Sequence, residues 1–322
     1  MNSNVHILST GGTIASTGKD DGAKPDKQGS ELLADIPEID DYASVSVEQV
    51  AQIPSFTMDF ETMVTIVRRA EAAISAGADA IVVTHGTDTL EESAFFADQT
   101  LGGDTPIVFT GAQRRPDEIS PDGPANIVTA VRAADHDAVQ AAGGSYVAFD
   151  EQLHEARSVT KAHTSRLDTF RSPDSGPVAS LDHGGFRFHY SPPEANALFD
   201  PVVPDAAVRI VPSYADCPRD PVDEAVDAGV DGLVIEGTGL GNTTAALSDA
   251  IADALDAGVP VVVASRCLGG ATAPVYGNPG GGETLRQQGV GFAGDLSAQK
   301  ARIKLALALT ATADPLEQFP AE

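Results

Sequence analysis

The chain has no tryptophan, two cysteines and only six lysines in 322 residues. Cys217 and Cys267 lie far apart, which excludes a disulfide framework and a metal-knuckle spacing. Both are expected to be small core or near-core thiols. The seven histidines show no HxH or HExxH spacing, so no metal motif is present. No apolar run approaches the length of a membrane span. The opening MNSNVHIL lacks a basic n-region and an apolar h-region, so no secretory signal is expected and the cytoplasm is the expected location. Bases are scarce overall: 20 Lys plus Arg stand against 47 Asp plus Glu, a formal net charge of -27. That balance excludes the basic patch a nucleic-acid partner requires.

The acids are scattered along the chain, which reads as a solvated surface and not an acidic tail. Self-repulsion at this charge opposes a compact state, and about 1 M salt screens it within about 3 Å. The excess therefore suits a salt-rich cytoplasm. With 42% hydrophobic residues the chain can bury a sizeable core, and its length predicts two domains.

Apolar runs alternate with helical patterns. VHIL (5–8), AIVV (80–83), PIVFTG (106–111) and SYVAFD (145–150) read as strands. Between them, FETMVTIVRRAEAAIS (60–75), TLEESAFFADQTL (89–101) and PANIVTAVRAADHDA (124–138) have helical periodicity, and 17–30 reads as a loop. This order predicts an α/β fold, with a larger N-terminal domain built on an open, mainly parallel sheet. SPPEANALFDPVVPD (191–205), with Pro192, Pro193, Pro201 and Pro204, reads as a linker. After it VRIVPS, DEAVDAG, GLVIEG, TAALSDAIADALDAG and PVVVAS resume the alternation, and SAQKARIKLALALTATA (297–313) closes it. The expected division is 1–190, a linker at 191–206, and a smaller α/β domain at 207–322.

In open α/β sheets, ligands bind beyond the carboxyl ends of the strands. Three such ends carry unusual residues: Thr10-Gly11-Gly12-Thr13, Thr84-His85-Gly86-Thr87-Asp88 and Thr110-Gly111-Ala112-Gln113. TGGTIAS lacks the GxGxxG spacing of a dinucleotide turn, and no GK[ST] follows it. Hydrolysis is the alternative. A Thr13 hydroxyl would need a base and a stabilised oxyanion, and Gly11 and Gly12 would let backbone N–H groups approach the reacting carbon. Equally, Thr13 could simply close the turn. Asp88 followed by Glu91 fits a helix capping box, although Asp88 could also bind a substrate ammonium. Glu91 and Glu92 suit the helix dipole without further function. His85 reads as filling a tight turn. Lys161, in SVTKAHT, is the candidate base; by itself it also reads as a surface charge.

TGGTIAS (10–16) and VVTHGTDTLEESAFF (82–96) resemble the two signature segments of the L-asparaginase family, which includes asparaginase/glutaminases. FTGAQRRP (109–116), DGPANI (122–127), SVTKAHT (158–164) and SAQKARIKLALAL (297–309) resemble it too, so the likeness runs nearly end to end. The resemblance implies hydrolysis of a side-chain amide, L-asparagine foremost and L-glutamine as competitor, through an acyl-enzyme. It implies Thr13 as nucleophile, with Thr87, Asp88 and Lys161 as a second polar set. Gly12, Ser55, Thr87 and Asp88 would contact substrate, with Asn242 reaching it from a partner subunit. A homodimer or homotetramer is implied, with no metal, organic cofactor, nucleic acid or membrane.

Three departures from the family pattern stand out. GKDDGAKPDKQG lacks the loop tyrosine that helps activate the nucleophile; Ala23 or a neighbour takes its place, and Tyr42 is one substitute. Phe56 stands where many members have Gln. CLGGATAPVYGNPGGGET (267–284) differs from the stretch that supplies a glutamate across the interface in some members, with Tyr276 and Glu283 as replacements. One component of a tRNA-dependent amidotransferase shares the signatures, but the acidic charge opposes tRNA. A non-catalytic amino-acid sensor is the reading from another class, favoured by the missing tyrosine and opposed by the intact Thr13, Thr87, Asp88 and Lys161. The charge itself predicts unfolding or dissociation on dilution from molar salt into low-salt buffer. Circular dichroism and light scattering across a salt series test this, and unchanged stability would refute the salt adaptation.

Overall fold

The computed structural model describes residues 3–18, 22–195 and 197–319. It divides into two compact units, Met1–Val203 and Pro204–Glu322. The larger unit holds an eight-stranded sheet among its described residues. Its strands are β1 (Asn4–Gly11), β2 (Ser44–Ile53), β3 (Ala80–Thr84), β4 (Ile107–Thr110), β5 (Ser145–Phe149), β6 (Gln152–Glu155), β7 (Ala179–Asp182) and β8 (Gly185–Phe188). They lie in the order β8-β7-β6-β5-β4-β3-β1-β2. The five from β5 to β2 are parallel, and β6, β7 and β8 add on antiparallel.

Helices connect the parallel strands: α1 (Gly29–Ala34), α2 (Phe60–Ser75), α3 (Leu90–Thr100), α4 (Gly123–Ala134) and α5 (Asp137–Ala142). AIVVT in β3 is buried at every position, as a strand covered on both faces must be. Asp59 starts α2 by accepting the Thr62 N–H at 2.8 Å. The periodic stretch 124–138 divides in two because His136 leaves helical geometry, and its ring accepts the Ala138 N–H to cap α5. The expected loop at 17–30 contains a short ladder, Ser16–Thr17 with Lys24–Pro25, and the start of α1; its positions 19–21 lie outside the described residues. Within 191–203 the chain is held to the larger unit. Ala195 N–H donates to Ala142 O, and Leu198 and Phe199 N–H groups donate to Gln99 O.

The second unit carries a four-stranded parallel sheet among its described residues, β9 (Val208–Pro212), β10 (Gly232–Gly237), β11 (Val261–Ser265) and β12 (Gly291–Phe292), in that order. Its helices are α6 (Asp220–Asp227), α7 (Ala245–Asp256), α8 (Gly282–Gln288) and α9 (Ala298–Ala311). Cys217 is buried in its core, whereas Cys267 is exposed in the loop after β11, contrary to the expectation of two core thiols. No described helix is long and apolar enough to cross a membrane.

Two buried polar devices fix the loops of the larger unit. Asn126, at the start of α4, donates to Gly111 O and Asp122 Oδ2 and accepts the Asp150 N–H at 3.0 Å. Asp150 and Glu151 both have positive φ, 50° and 59°, in the turn between β5 and β6. That geometry normally wants Asn-Gly, so the bond from Asn126 supports a turn that its own residues disfavour. His85 is the second device: its Nδ1 donates to Gly86 O at 2.7 Å, which leaves Nε2 to accept from Ser93 Oγ at 2.9 Å. Burial lowers its pKa to about 4, and burial likewise lowers that of His154, paired with Ser172, to about 4.

Asn126→Leu removes three hydrogen bonds and strands their partners, at an expected cost of about 2–4 kcal/mol in urea denaturation. The two histidines fix a pH response. Unfolded, they take up protons near pH 6.5; folded, they resist until about 4. Stability is therefore fully present above about 6.5 and falls as the pH drops toward 4, by up to about 3 kcal/mol for each histidine. Urea midpoints between pH 7 and 5.5, above most carboxylate titration, should fall, and His85→Gln should reduce the slope.

Candidate active site

Three chain segments meet at the carboxyl ends of β1 and β3, two through backbone and the third through the Ser55 side chain. A Cβ on Gly12, where φ is +80°, would lie 2.3 Å from Gly86 Cα, and a Cβ on Gly86 would lie 2.6 Å from Ser55 Oγ. Only glycine permits either approach. Ser55 then clasps the Thr87–Thr89 turn: its Oγ accepts the Asp88 N–H at 3.2 Å and its carbonyl accepts from Thr89 Oγ1 at 2.7 Å. Below them Thr10 Oγ1 donates to Thr84 O at 2.9 Å, tying the strand ends together.

The glycine turn uses one of its own N–H groups internally. Gly12 N–H donates to Ile53 O at 3.1 Å, so it is not offered to a reacting carbon. Its carbonyl accepts from Ala15 N–H and Ser16 Oγ. The role of Gly12 is steric: it lets the two turns touch. Thr13 opens a short 3-10 turn, Thr13–Ala15, at the edge of a cavity of about 370 Å³. Gly12, Ser55, Thr87, Asp88 and Lys161 line the same cavity.

Lys161 belongs to a two-residue strand, Thr160–Lys161, paired with Phe170–Arg171. Its Nζ donates to Thr87 Oγ1 at 2.8 Å and to Asp88 Oδ1 at 2.7 Å. The Lys161 side chain is mostly shielded while that of Asp88 is about half exposed, and the ion pair is made through Oδ1. The capping box expected of Asp88 and Glu91 does not form. The N-cap of α3 is Thr89, without a side-chain cap, because Lys161 takes both carboxylates: Asp88 binds its Nζ and Glu91 Oε2 accepts its backbone N–H at 2.5 Å. The sequence reads Glu91 only as a capping-box and helix-dipole residue, and nothing local signals the bond to Lys161, which lies 70 positions away.

Ala23 lines the cavity near the place of the absent tyrosine, and no described residue of the lining is a tyrosine. Tyr42 lies elsewhere, against the hydrophobic core with the Arg132 guanidinium 5.0 Å over its ring. Phe56 stands at the cavity with 73% of its surface exposed. Gln113, Arg115, Glu118, Thr164 and Ser165 also line it; the sequence marks Gln113 at the end of β4 and gives the other four no role of their own. Arg115 donates to Asp117 Oδ1 at 2.9 Å, and Asp117 Oδ2 accepts the Gly18 N–H at 2.8 Å. The bond from Gly18, then the nearby guanidinium, holds the Asp117 carboxyl below the usual range.

The second unit contains the other residues of interest. Asn242 Oδ1 accepts the Gly282 N–H at 3.0 Å, which fixes the start of α8 and leaves Nδ2 as a donor. Glu283 is gripped by Arg286 and Gln287 on its own helix, and these bonds draw its carboxyl down to about 2. Tyr276 is exposed.

Residues 4–194 match the family model "Asparaginase, N-terminal" and residues 207–318 match "Glutaminase/Asparaginase C-terminal domain". The chain is 36% identical to "L-asparaginase 2" of Escherichia coli, over 97% of this chain and 90% of that one. It is 38% identical to "Probable L-asparaginase" of Deinococcus radiodurans, over 94% and 92%. It is also 35% identical to a glutamyl-tRNA(Gln) amidotransferase component of Methanothermobacter thermautotrophicus, over 97% of this chain and 73% of that one. The crystal structure of a probable cytoplasmic L-asparaginase from Campylobacter jejuni superposes with a TM-score of 0.89 at 33% identity, covering 99% of both chains. The α/β architecture, the cavity at the strand ends and these likenesses lead to one conclusion: the chain belongs to the asparaginase family.

Proposed function

We propose that the protein hydrolyses L-asparagine to L-aspartate and ammonia through a threonine acyl-enzyme. The observation that carries this reading is the contact of Lys161 Nζ with both Thr87 Oγ1 and Asp88 Oδ1, in a cavity that also contains Thr13 and Ser55. A cavity of about 370 Å³ suits a free amino acid. The remaining oxygen of Asp88 would take the substrate's ammonium, and the Ser55 hydroxyl, which accepts from Asp88 N–H, would donate its own proton to the α-carboxylate.

In the first step a threonine hydroxyl loses its proton and attacks the amide carbon. The C–N bond breaks, ammonia departs with a proton, and an ester remains on the enzyme. Water then attacks the ester, giving aspartate and restoring the hydroxyl. We assign the attack to Thr13. Lys161 and Asp88 act on the Thr87 hydroxyl, which delivers or receives the proton at the reacting centre. A second assignment rests on the same contact: Thr87, the hydroxyl that Lys161 touches, makes the attack in one of the two steps. The exposed Phe56 ring shapes the cavity mouth. Asn242 would donate its Nδ2 across a homodimer or homotetramer of the family kind.

Ammonia release from L-asparagine and L-glutamine in high salt tests the reading, with asparagine expected to dominate. Thr13→Ala should lose about 10³-fold or more in kcat, and Lys161→Met about 10²-fold or more. Wild-type turnover in Thr13→Ala beside a dead Thr87→Val would transfer the attack to Thr87. Release from neither amide would refute hydrolysis and favour the sensor.

A further inference from the structure

We propose that Glu91 is a positioning residue for Lys161, gripping the lysine's backbone while Thr87 and Asp88 hold its side chain. The inference rests on the catalytic reading of Lys161. Glu91 lies in the first turn of α3 yet is only 4% exposed. A glutamate that merely answered the helix dipole could do so from the surface. Instead its Oε2 accepts the Lys161 N–H at 2.5 Å, a charge-assisted bond across 70 positions of sequence.

The arrangement has a consistent logic. The strand that carries Lys161 is two residues long and has one partner strand, Phe170–Arg171, with Ala162 N–H bonded to Thr169 O beyond it. So short a ladder fixes its own backbone weakly. Glu91 supplies the second side of the ladder from a rigid helix. Thr87 and Asp88 immediately precede that helix, so one turn-and-helix element holds both ends of Lys161. The flexible four-carbon stem is thereby confined to the conformation that reaches Thr87. Rigid support of this kind is what a catalytic geometry requires.

What Glu91 contributes is an acceptor in a fixed place, so the isosteric Glu91→Gln, whose carbonyl oxygen can accept the same N–H, should keep kcat within about 3-fold. Glu91→Met matches the size without the acceptor and should lower kcat by about 10-fold or more, with KM for asparagine within about 3-fold. Should the Met variant fail to fold, Glu91→Ala replaces it in the same comparison. In a Lys161→Met background the Glu91→Met change should alter the residual kcat by less than about 2-fold, because the group it positions is gone. A merely structural glutamate would cut that residual rate by its full factor, which overturns the proposal. Wild-type kcat in Glu91→Met, or an equal loss in Glu91→Gln, also overturns it. If Lys161→Met itself turns over at the wild-type rate, the catalytic reading fails and takes the proposal with it; that result is distinct from an inactive Lys161→Met beside a fully active Glu91→Met, which removes Glu91 alone.

Discussion

The site depends on a contact between two peptide backbones. Gly12 and Gly86 approach so closely that a methyl group on either would overlap the other segment or Ser55. That seam sets where Thr13 stands relative to Thr87 and Asp88. The parallel strands bring both turns to the same end of the sheet, and Thr10 and Ser55 lock them together. Thr13, Ser55, Thr87 and Asp88, which line the cavity, are hung on this frame. Side-chain bonds alone, each contributing about 1 kcal/mol, would hold hydroxyls far less narrowly than packed main chain does.

A second level of organisation is electrostatic. The chain has few lysines, and the one at the cavity is surrounded by groups drawn from a single element: two by its side chain, one by its backbone. Asp88 stays partly in water, which moderates the ion pair. His85, by contrast, is enclosed and neutral, bonded on both ring nitrogens. Two titratable groups a few residues apart thus have opposite tasks because one faces the cavity and the other faces the core.

The four interior parallel strands of the larger sheet and the long helices are legible in the sequence because burial on two faces leaves continuous apolar runs and α2 has a regular polar face. Other elements escape for physical reasons. In β2, SVSVEQVAQI carries a glutamate and two glutamines on an edge that water still reaches, so its apolar signal is diluted. The hairpin of β5 and β6 turns through Asp150-Glu151, with no glycine to announce it; a distant asparagine sustains it. In the site, Thr13, Thr87, Asp88 and Lys161 stand out as turn residues at strand ends and as a rare base. Glu91 does not, because its partner is remote in sequence and its position matches an ordinary helix start. The sequence reads Gly11 and Gly12 as letting backbone N–H groups approach a reacting carbon, and only the three-dimensional contact shows that the missing side chain of Gly12 lets Gly86 in.

That missing side chain bears on how such a site can drift. Any substitution at Gly12 or Gly86 adds at least a Cβ, so neither position has a neutral neighbour in sequence space, however mild the replacement. The seam is a point that mutation can leave only by dismantling the cavity. Change must then accumulate around it: at Ala23 and at the ring of Phe56, where side chains at the cavity meet solvent and a new one meets little resistance. A scaffold divided in this way can vary what it admits while the arrangement of its hydroxyls stays put.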